Sequence, residues 1–250
     1  MISTLEKEIT FRFLKARKQD GFLNVISIFS FIGISLGVAV LIIVMSVMNG
    51  FRSELINKIV GFNSHITVKS YENIINKKKL NSKNLKLISK NIIFSNSGEA
   101  IILKNNTSKG IVLRGYKSND FLDLEIIKNN KFNGSTSLSK NFLSIGNELS
   151  FTLDIQIGDE ITLMSPSGVE TIIGNMPKQK TFMVTSIFNS GLVDFDNNIA
   201  FINLKTLEEF FGYGFKDRNL EIYLKKPNNI ESQKLIVQQI FDEEFVYSWA

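Results

Sequence analysis

The stretch GFLNVISIFSFIGISLGVAVLIIVMSVMNGF, residues 21–51, decides how the rest of the chain is read. No charge falls between Asp20 and Arg52, and 20 of the 27 positions from Phe22 to Met48 are apolar. As a helix, those positions extend ~40 Å, more than the ~30 Å hydrocarbon core of a bilayer. A buried core helix is shorter than such an uncharged run. A cleaved secretion signal has a shorter apolar region and a small-x-small site, and none is evident near Met48. The stretch is predicted to cross a membrane.

Working outward, the flanks give a direction. Lys7, Arg12, Lys15, Arg17 and Lys18 precede the span, whereas Arg52 and Lys58 follow it with Glu54 between them. The positive-inside rule places the N-terminus in the cytoplasm and residues 52–250 on the far side of the inner membrane. Leu5, Ile9 and Phe13 recur every four residues, so residues 1–20 read as an interfacial segment under the bilayer. Within the span, Ser27, Ser30, Gly33 and Gly37 fall on one helix face. Gly33 and Gly37 form a small-xxx-small step that lets another helix approach closely. The same face continues outward as Leu41, Val44 and Met48.

The whole chain is 44% apolar, but without the span the rest is about 40% apolar, an ordinary soluble composition. It is a hydrophobic anchor joined to a water-soluble body. The absence of Cys excludes disulfides, thiolate metal sites and thiol catalysis, and a single His excludes His-based zinc sites and most triads. The net charge of +5 permits an anionic partner. Nucleic acid is disfavoured, because only five of the 29 basic residues are Arg, the lysines are scattered, and no aromatic-plus-glycine stacking motif occurs.

The body opens with a βαβ rhythm: a strand over 65–69, a helical stretch over 84–90, then the apolar run Ile92-Ile93-Phe94. The rhythm recurs near the end, with a strand over 220–224, Pro227, helical periodicity over 230–241 and a strand over 245–247. Two such halves at opposite ends predict one α+β unit built from both. Between them, residues 101–191 are strand-rich with little helical pattern and read as an inserted β subdomain. A strand over 200–204 and a helix over 205–211 lead back.

One segment of the insert stands out. Pro166 and Pro177 bracket a predicted hairpin tip of some ten residues, above the usual two to five, that carries Val169, Ile172, Ile173 and Met176. Such a tip is either a protruding arm that enters a partner or a loop folded back on its own domain.

Enzymatic signatures fail one by one. There is no G-x-x-x-x-G-K-S/T loop for ATP. Asp194-x-Asp196-x-Asn198 imitates the start of a calcium loop, but Ile199 replaces its glycine and Lys205 its bidentate Glu. Gly212-Tyr213-Gly214 lacks the third glycine of a dinucleotide motif. No G-x-S-x-G occurs, nothing marks a Ser/Lys dyad, and His65 has neither a base nor a metal-partner pattern.

Ser46-Val47-Met48-Asn49-Gly50-Phe51, followed by Glu54-Leu55, Gly61 and His65, resembles the end of the first membrane helix in LolC/LolE-type lipoprotein-releasing permeases of the MacB-like superfamily. Further matches run in family order across nearly the whole chain. They are Ile145-Gly146 with Leu149, the run Gly158-Asp159-Glu160-Ile161-Thr162-Leu163, Pro166-Ser167-Gly168, Gly174, Pro177, Phe182 and Ala200-Phe201.

The resemblance implies a membrane-anchored α+β protein: one transmembrane helix (21–51), then a periplasmic Porter-like α+β subdomain in two parts (52–104 and 216–250). A Sabre-like β subdomain (105–215) is inserted between them. It implies a non-enzymatic permease subunit that pairs with a second permease subunit and with two copies of a separate ATPase, which binds ATP and Mg; no cofactor is expected in this chain. The expected cargo is triacylated lipoproteins, passed to a periplasmic LolA-like carrier. Residues 166–177 match the family's carrier-binding hook. Gln179 and Lys180 stand where its pad has a Gln-Arg pair, and Lys lacks the planar fork of Arg. Thr162 replaces a pad Arg, and the hook is one residue shorter. Val44, Met45, Met48 and Phe51 match the region bordering the lipid-binding cavity, and Ser30, Gly33 and Gly37 are expected to pack a neighbouring helix. The family has three further membrane helices, so the chain reads as the N-terminal portion of a permease. Two other readings stay open, a MacB-like efflux or mechanotransmission subunit and a single-pass anchored scaffold or sensor.

Overall fold

The computed structural model describes residues 4–14, 21–70, 74–105, 107–128, 132–171, 174–226 and 229–248. The chain falls into two compact units, Met1–Ile56 and Asn57–Ala250. It begins with helices α1 (Thr4–Leu14) and α2 (Gly21–Phe62). Helix α2 runs unbroken for 42 residues, ~63 Å at 1.5 Å per residue. Its window Val25–Arg52 has a mean hydropathy of 2.8 with nothing buried inside the chain, and is long and apolar enough to cross a membrane. The helix does not stop at Phe51, where the apolar run ends. No proline interrupts the next turns, Glu54, Leu55 and Lys58 are good helix formers, and Asn63-Ser64 supplies the first strong turn signal.

The second unit continues with β1 (Ile66–Lys69), α3 (Lys83–Ile88), β2 (Ser89–Lys104), β3 (Thr107–Tyr116), α4 (Ser118–Leu122), α5 (Glu125–Lys128) and β4 (Phe132–Gly134). Then come β5 (Phe142–Gly146), α6 (Asn147–Leu153), β6 (Glu160–Thr171), β7 (Gly174–Phe188), α7 (Val193–Asn198) and β8 (Ile199–Asn203). The chain closes with α8 (Leu204–Phe211), β9 (Asn219–Leu224), α9 (Ile230–Ile240) and β10 (Phe245–Ser248).

The first sheet has the order β10-β1-β9-β2 with every neighbour antiparallel. Strands β1 and β2 therefore run parallel with β9 between them, and β9 and β10 run parallel with β1 between them. These are two interleaved split βαβ units, a ferredoxin-like sheet. Period-2 alternation sends Ile66, Val68, Leu220, Ile222 and Leu224 to one face, where Leu85 of α3 and Val237 of α9 cover them. As expected from the sequence, this sheet is assembled from both ends of the soluble body.

Strand β2 then changes sheets. It pairs with β9 as far as Ser95 and with β3 from Asn96 onward. From there the pairings β2-β3-β8-β5-β7-β6 return to β2, closing a six-stranded barrel, with β4 attached to the outside of β7. The two sheets thus share one strand, which carries no Pro to interrupt it. Ile102, Leu113, Leu143, Leu163, Phe182 and Ile202 fill the barrel and are almost fully buried. Each such side chain contributes about 1.5–3 kcal/mol by leaving water. Leu149 of α6 and Phe210 of α8 join the same core. An aromatic cluster lies under α4 and α5, where Phe201 meets Phe188 at 4.9 Å and Phe121 at 5.4 Å.

The stretch 101–191 is less purely strand than its pattern predicts, because α4, α5 and α6 all interrupt it. Each is one or two turns long, too short to establish a 3.6-residue period against the flanking strands. The helical stretch expected over 84–90 ends at Ile88, since Ser89 already pairs with Leu224.

Candidate functional site

The proline-bracketed segment is not a ten-residue loop. The β6/β7 ladder continues through it from Ser165 opposite Lys178 to Thr171 opposite Gly174. One irregularity interrupts the ladder, where Pro166, Ser167 and Gly168 stand against the single Pro177. Proline has no N–H for a ladder bond, so both prolines fall at the discontinuity that a bulge tolerates. Among the described residues, β6 pairs with β2 only as far as Met164 opposite Ile101, and beyond that point with β7 alone. The result is a two-stranded ribbon reaching ~20 Å past the barrel wall at ~3.3 Å per residue.

Pro166 and Pro177 are exposed at the base of this ribbon, and Met176 is 59% exposed further out. Val169 stands opposite Met176 in the register. Ile172 and Ile173 lie outside the described residues. The two pad positions separate: strand alternation puts Gln179 outside, its amide donating to Met164 Sδ at 3.7 Å, and turns Lys180 toward the barrel side. Lys180 Nζ sits 5.3 Å from the Phe182 ring, and burial pushes its ammonium below the ordinary lysine value. Thr162 lies on the outer face beside Thr181, with the hydroxyl oxygens 3.5 Å apart.

On α2, Val44, Met45, Met48 and Phe51 are each more than half exposed. Val44, Met48 and Phe51 follow i, i+4, i+7 spacing, with Met45 three residues before Met48 on the adjacent ridge. Ser30, Gly33 and Gly37 lie lower on the same helix, and a side chain at either glycine would meet nothing within 4 Å in this chain.

The residues weighed for catalysis or metal binding have structural tasks. His65 is buried and its Nδ1 accepts the Leu224 N–H at 3.0 Å, while its ring meets Tyr223 edge-on. Asp196 accepts the Ser190 N–H at 2.8 Å and 3.2 Å on its two oxygens, and Asn198 donates to the Asp194 carbonyl. Among the described residues no group of three metal-ligating side chains occurs.

Sequence reading missed a buried polar hub where the two sheets meet. Glu221 of β9 accepts from Ser95 of β2 at 2.6 Å, Arg114 and Tyr116 of β3 at 3.1 Å, and Tyr223 at 3.0 Å. Arg114 also donates to Asn63 at 3.0 Å. Burial opposes the Arg114 charge, but Tyr116 and Glu221 outweigh it and hold the guanidinium protonated beyond its ordinary range. Burial pushes the Tyr116 and Tyr223 phenols well above theirs. A polar cavity of about 400 Å³ opens beside the hub. The only sequence hint was polar residues alternating with apolar ones on β9, which says nothing about who their partners are.

A long apolar helix, a ferredoxin-like sheet sharing a strand with a closed barrel, and a ribbon projecting from that barrel define a membrane-anchored α+β protein. The chain belongs to the family described as the MacB-like periplasmic core domain, which it matches over residues 27–239. Within that family it is similar to the lipoprotein-releasing system transmembrane protein LolC of Neisseria meningitidis, at 25% identity over 98% of this chain and 61% of the relative. The LolC of Buchnera aphidicola is 29% identical over 91% of this chain and 57% of the relative. The corresponding LolE of Haemophilus influenzae is 26% identical over 94% and 58%. The chain thus spans little more than half the length of these relatives.

Proposed function

We propose that this chain is the carrier-docking and membrane-anchoring part of a lipoprotein-releasing permease of the LolC/LolE type. The observation that carries the reading is the β6/β7 ribbon, a two-stranded arm with Met176 exposed whose ladder continues beyond the last pairing of β6 with β2. The names of the relatives support the same system. In this reading residues 52–250 are periplasmic and the N-terminus cytoplasmic, as the flanking charges indicate. A LolA-like carrier grips the arm, and triacylated lipoproteins meet Val44, Met45, Met48 and Phe51. A second permease subunit packs against Ser30, Gly33 and Gly37, and two copies of a separate ATPase bind ATP and Mg. In this reading Gln179, on the outer face, belongs to the pad, and Lys180, half-buried, belongs to the base of the arm. The test replaces residues 167–176 by Asn-Gly in the full chain, held in detergent, and measures capture of a purified LolA-type carrier. Capture is expected to vanish while circular dichroism and melting of the body persist. Undiminished capture overturns the reading. The family match equally covers MacB-like efflux subunits, and under that alternative the chain captures no such carrier with or without its arm.

A further inference from the structure

At the foot of the arm lies a second groove, of about 430 Å³, whose lining includes Ser97, Gly98, Glu99, Pro166, Phe211 and Tyr213. Three features define its chemistry. First, Phe211 and Tyr213 stack as a shelf, 5.3 Å between centroids and 18° from parallel. Gly98 lets the shelf close down on β2, because any side chain there would meet the Phe211 ring at 2.7 Å. Second, Glu99 is exposed beside the shelf, and it and Asp217 add to burial in pushing the Tyr213 phenol upward. Third, among the described residues β2 has no strand partner on this edge between Ser95, where β9 ends, and Ile101, where β6 begins. Within that stretch the Ser97 N–H already donates to Asn96 Oδ1 at 2.9 Å, so an extended segment would meet only part of the backbone.

An aromatic face with a carboxylate beside it is the surroundings a lysine or arginine side chain prefers. The same body builds that arrangement for its own cations a few residues away. Arg218 lies 4.0 Å from the Phe215 centroid while its guanidinium grips Glu208, and Lys77 approaches the same ring at 5.1 Å. Among the described residues, however, no cation is seated on Phe211 or Tyr213 and none pairs with Glu99. Pro166 belongs to both the groove and the base of the arm, so the shelf is continuous with the surface that a partner gripping the arm would reach at its base.

We infer that the groove is a socket for one lysine or arginine side chain on an extended segment of the carrier that grips the arm. The inference rests on the carrier reading above, and its test separates the two. In the full chain in detergent, Glu99→Gln is expected to weaken capture of a LolA-type carrier about threefold to tenfold and Glu99→Lys by more, with the arm intact and the melting temperature unchanged. If arm replacement abolishes capture while both Glu99 variants bind as the parent does, the socket is overturned and the carrier reading stands. Independently of any carrier, the chain labelled with 3-fluorotyrosine is titrated with capped Gly-Arg-Gly and Gly-Gln-Gly peptides, the Tyr213 fluorine signal being assigned from Tyr213→Phe. The arginine peptide should shift that signal at millimolar concentration, the glutamine peptide should not, and Glu99→Gln should erase the difference. Equal responses to the two peptides, or none, overturn the socket even where the carrier itself fails to bind.

Discussion

Gly146 shows at the scale of one residue how a punctuation mark in the sequence becomes a steric requirement. It ends β5 at φ −75°, a conformation open to any residue, so freedom of the backbone is not the reason for glycine. Space is: a Cβ there would lie 2.0 Å from the Asp196 carbonyl oxygen. That neighbour is backbone and cannot swing aside, so Gly146→Ala is expected to cost at least about 3 kcal/mol, the upper end of overpacking penalties. Gly110 has nothing within 4 Å, and Gly110→Ala should leave stability within about 0.5 kcal/mol of the parent. Urea unfolding of the two variants checks the contrast, and equal costs would refute the steric account. The same scale holds what sequence could not assign. Arg114 and Glu221 are 107 positions apart, and nothing local marks them as partners in one buried hub.

At the scale of elements, the helical layer of the first sheet is fastened by Lys79, just after β1. Its ammonium donates to Asp242 at 2.8 Å and to Glu244 at 3.1 Å, both between α9 and β10. The Lys79 hydrogen bond holds the Asp242 carboxyl below its ordinary 3.8. Burial opposes the Lys79 charge, but the two acids outweigh it and raise its pKa above the ordinary 10.5. The signs then follow. The depressed carboxyl contributes stability that is present above 3.8 and lost as pH falls through its lowered value. The raised lysine contributes stability that is present below 10.5 and lost as pH climbs through its raised value. Lys79→Met should therefore be less stable than the parent near neutral pH, and the gap should narrow once the pH drops below 3.8. Unfolding curves across that range decide it, and a gap that ignores pH would show the ion pair to be irrelevant.

Elements also differ in how readable they were. Strands β1 and β10 and helix α9 announce themselves by period, because one face of each is more exposed than the other, whereas β9 alternates in sequence although its polar face is buried in the hub. The arm did not. Its two prolines bracket what reads in sequence as a ten-residue tip, and only the register shows three residues bulging against one so that pairing resumes beyond them.

For the whole molecule, the direction of insertion is the claim with the widest consequences. The chain has no cysteine, so single-cysteine variants report without background. Ser97→Cys, on an exposed stretch of β2, should react with a membrane-impermeant maleimide in spheroplasts, and Lys7→Cys in α1 only after the membrane is broken. The reverse pattern would invert the molecule and remove the periplasmic carrier from consideration. The sequence by itself determined the anchor and the two βαβ halves, since hydropathy and periodicity are local quantities that no distant residue can alter. Only the tertiary structure decided that β2 belongs to two sheets, that the insert closes into a barrel, that the arm is a ribbon, and that Glu99 and Tyr213 line one groove at its foot. All of those except the arm, whose ladder is local, are pairings between residues far apart in the chain. Register, closure and side-chain partnership are set by which surfaces must leave water together, and a single sequence does not print that choice.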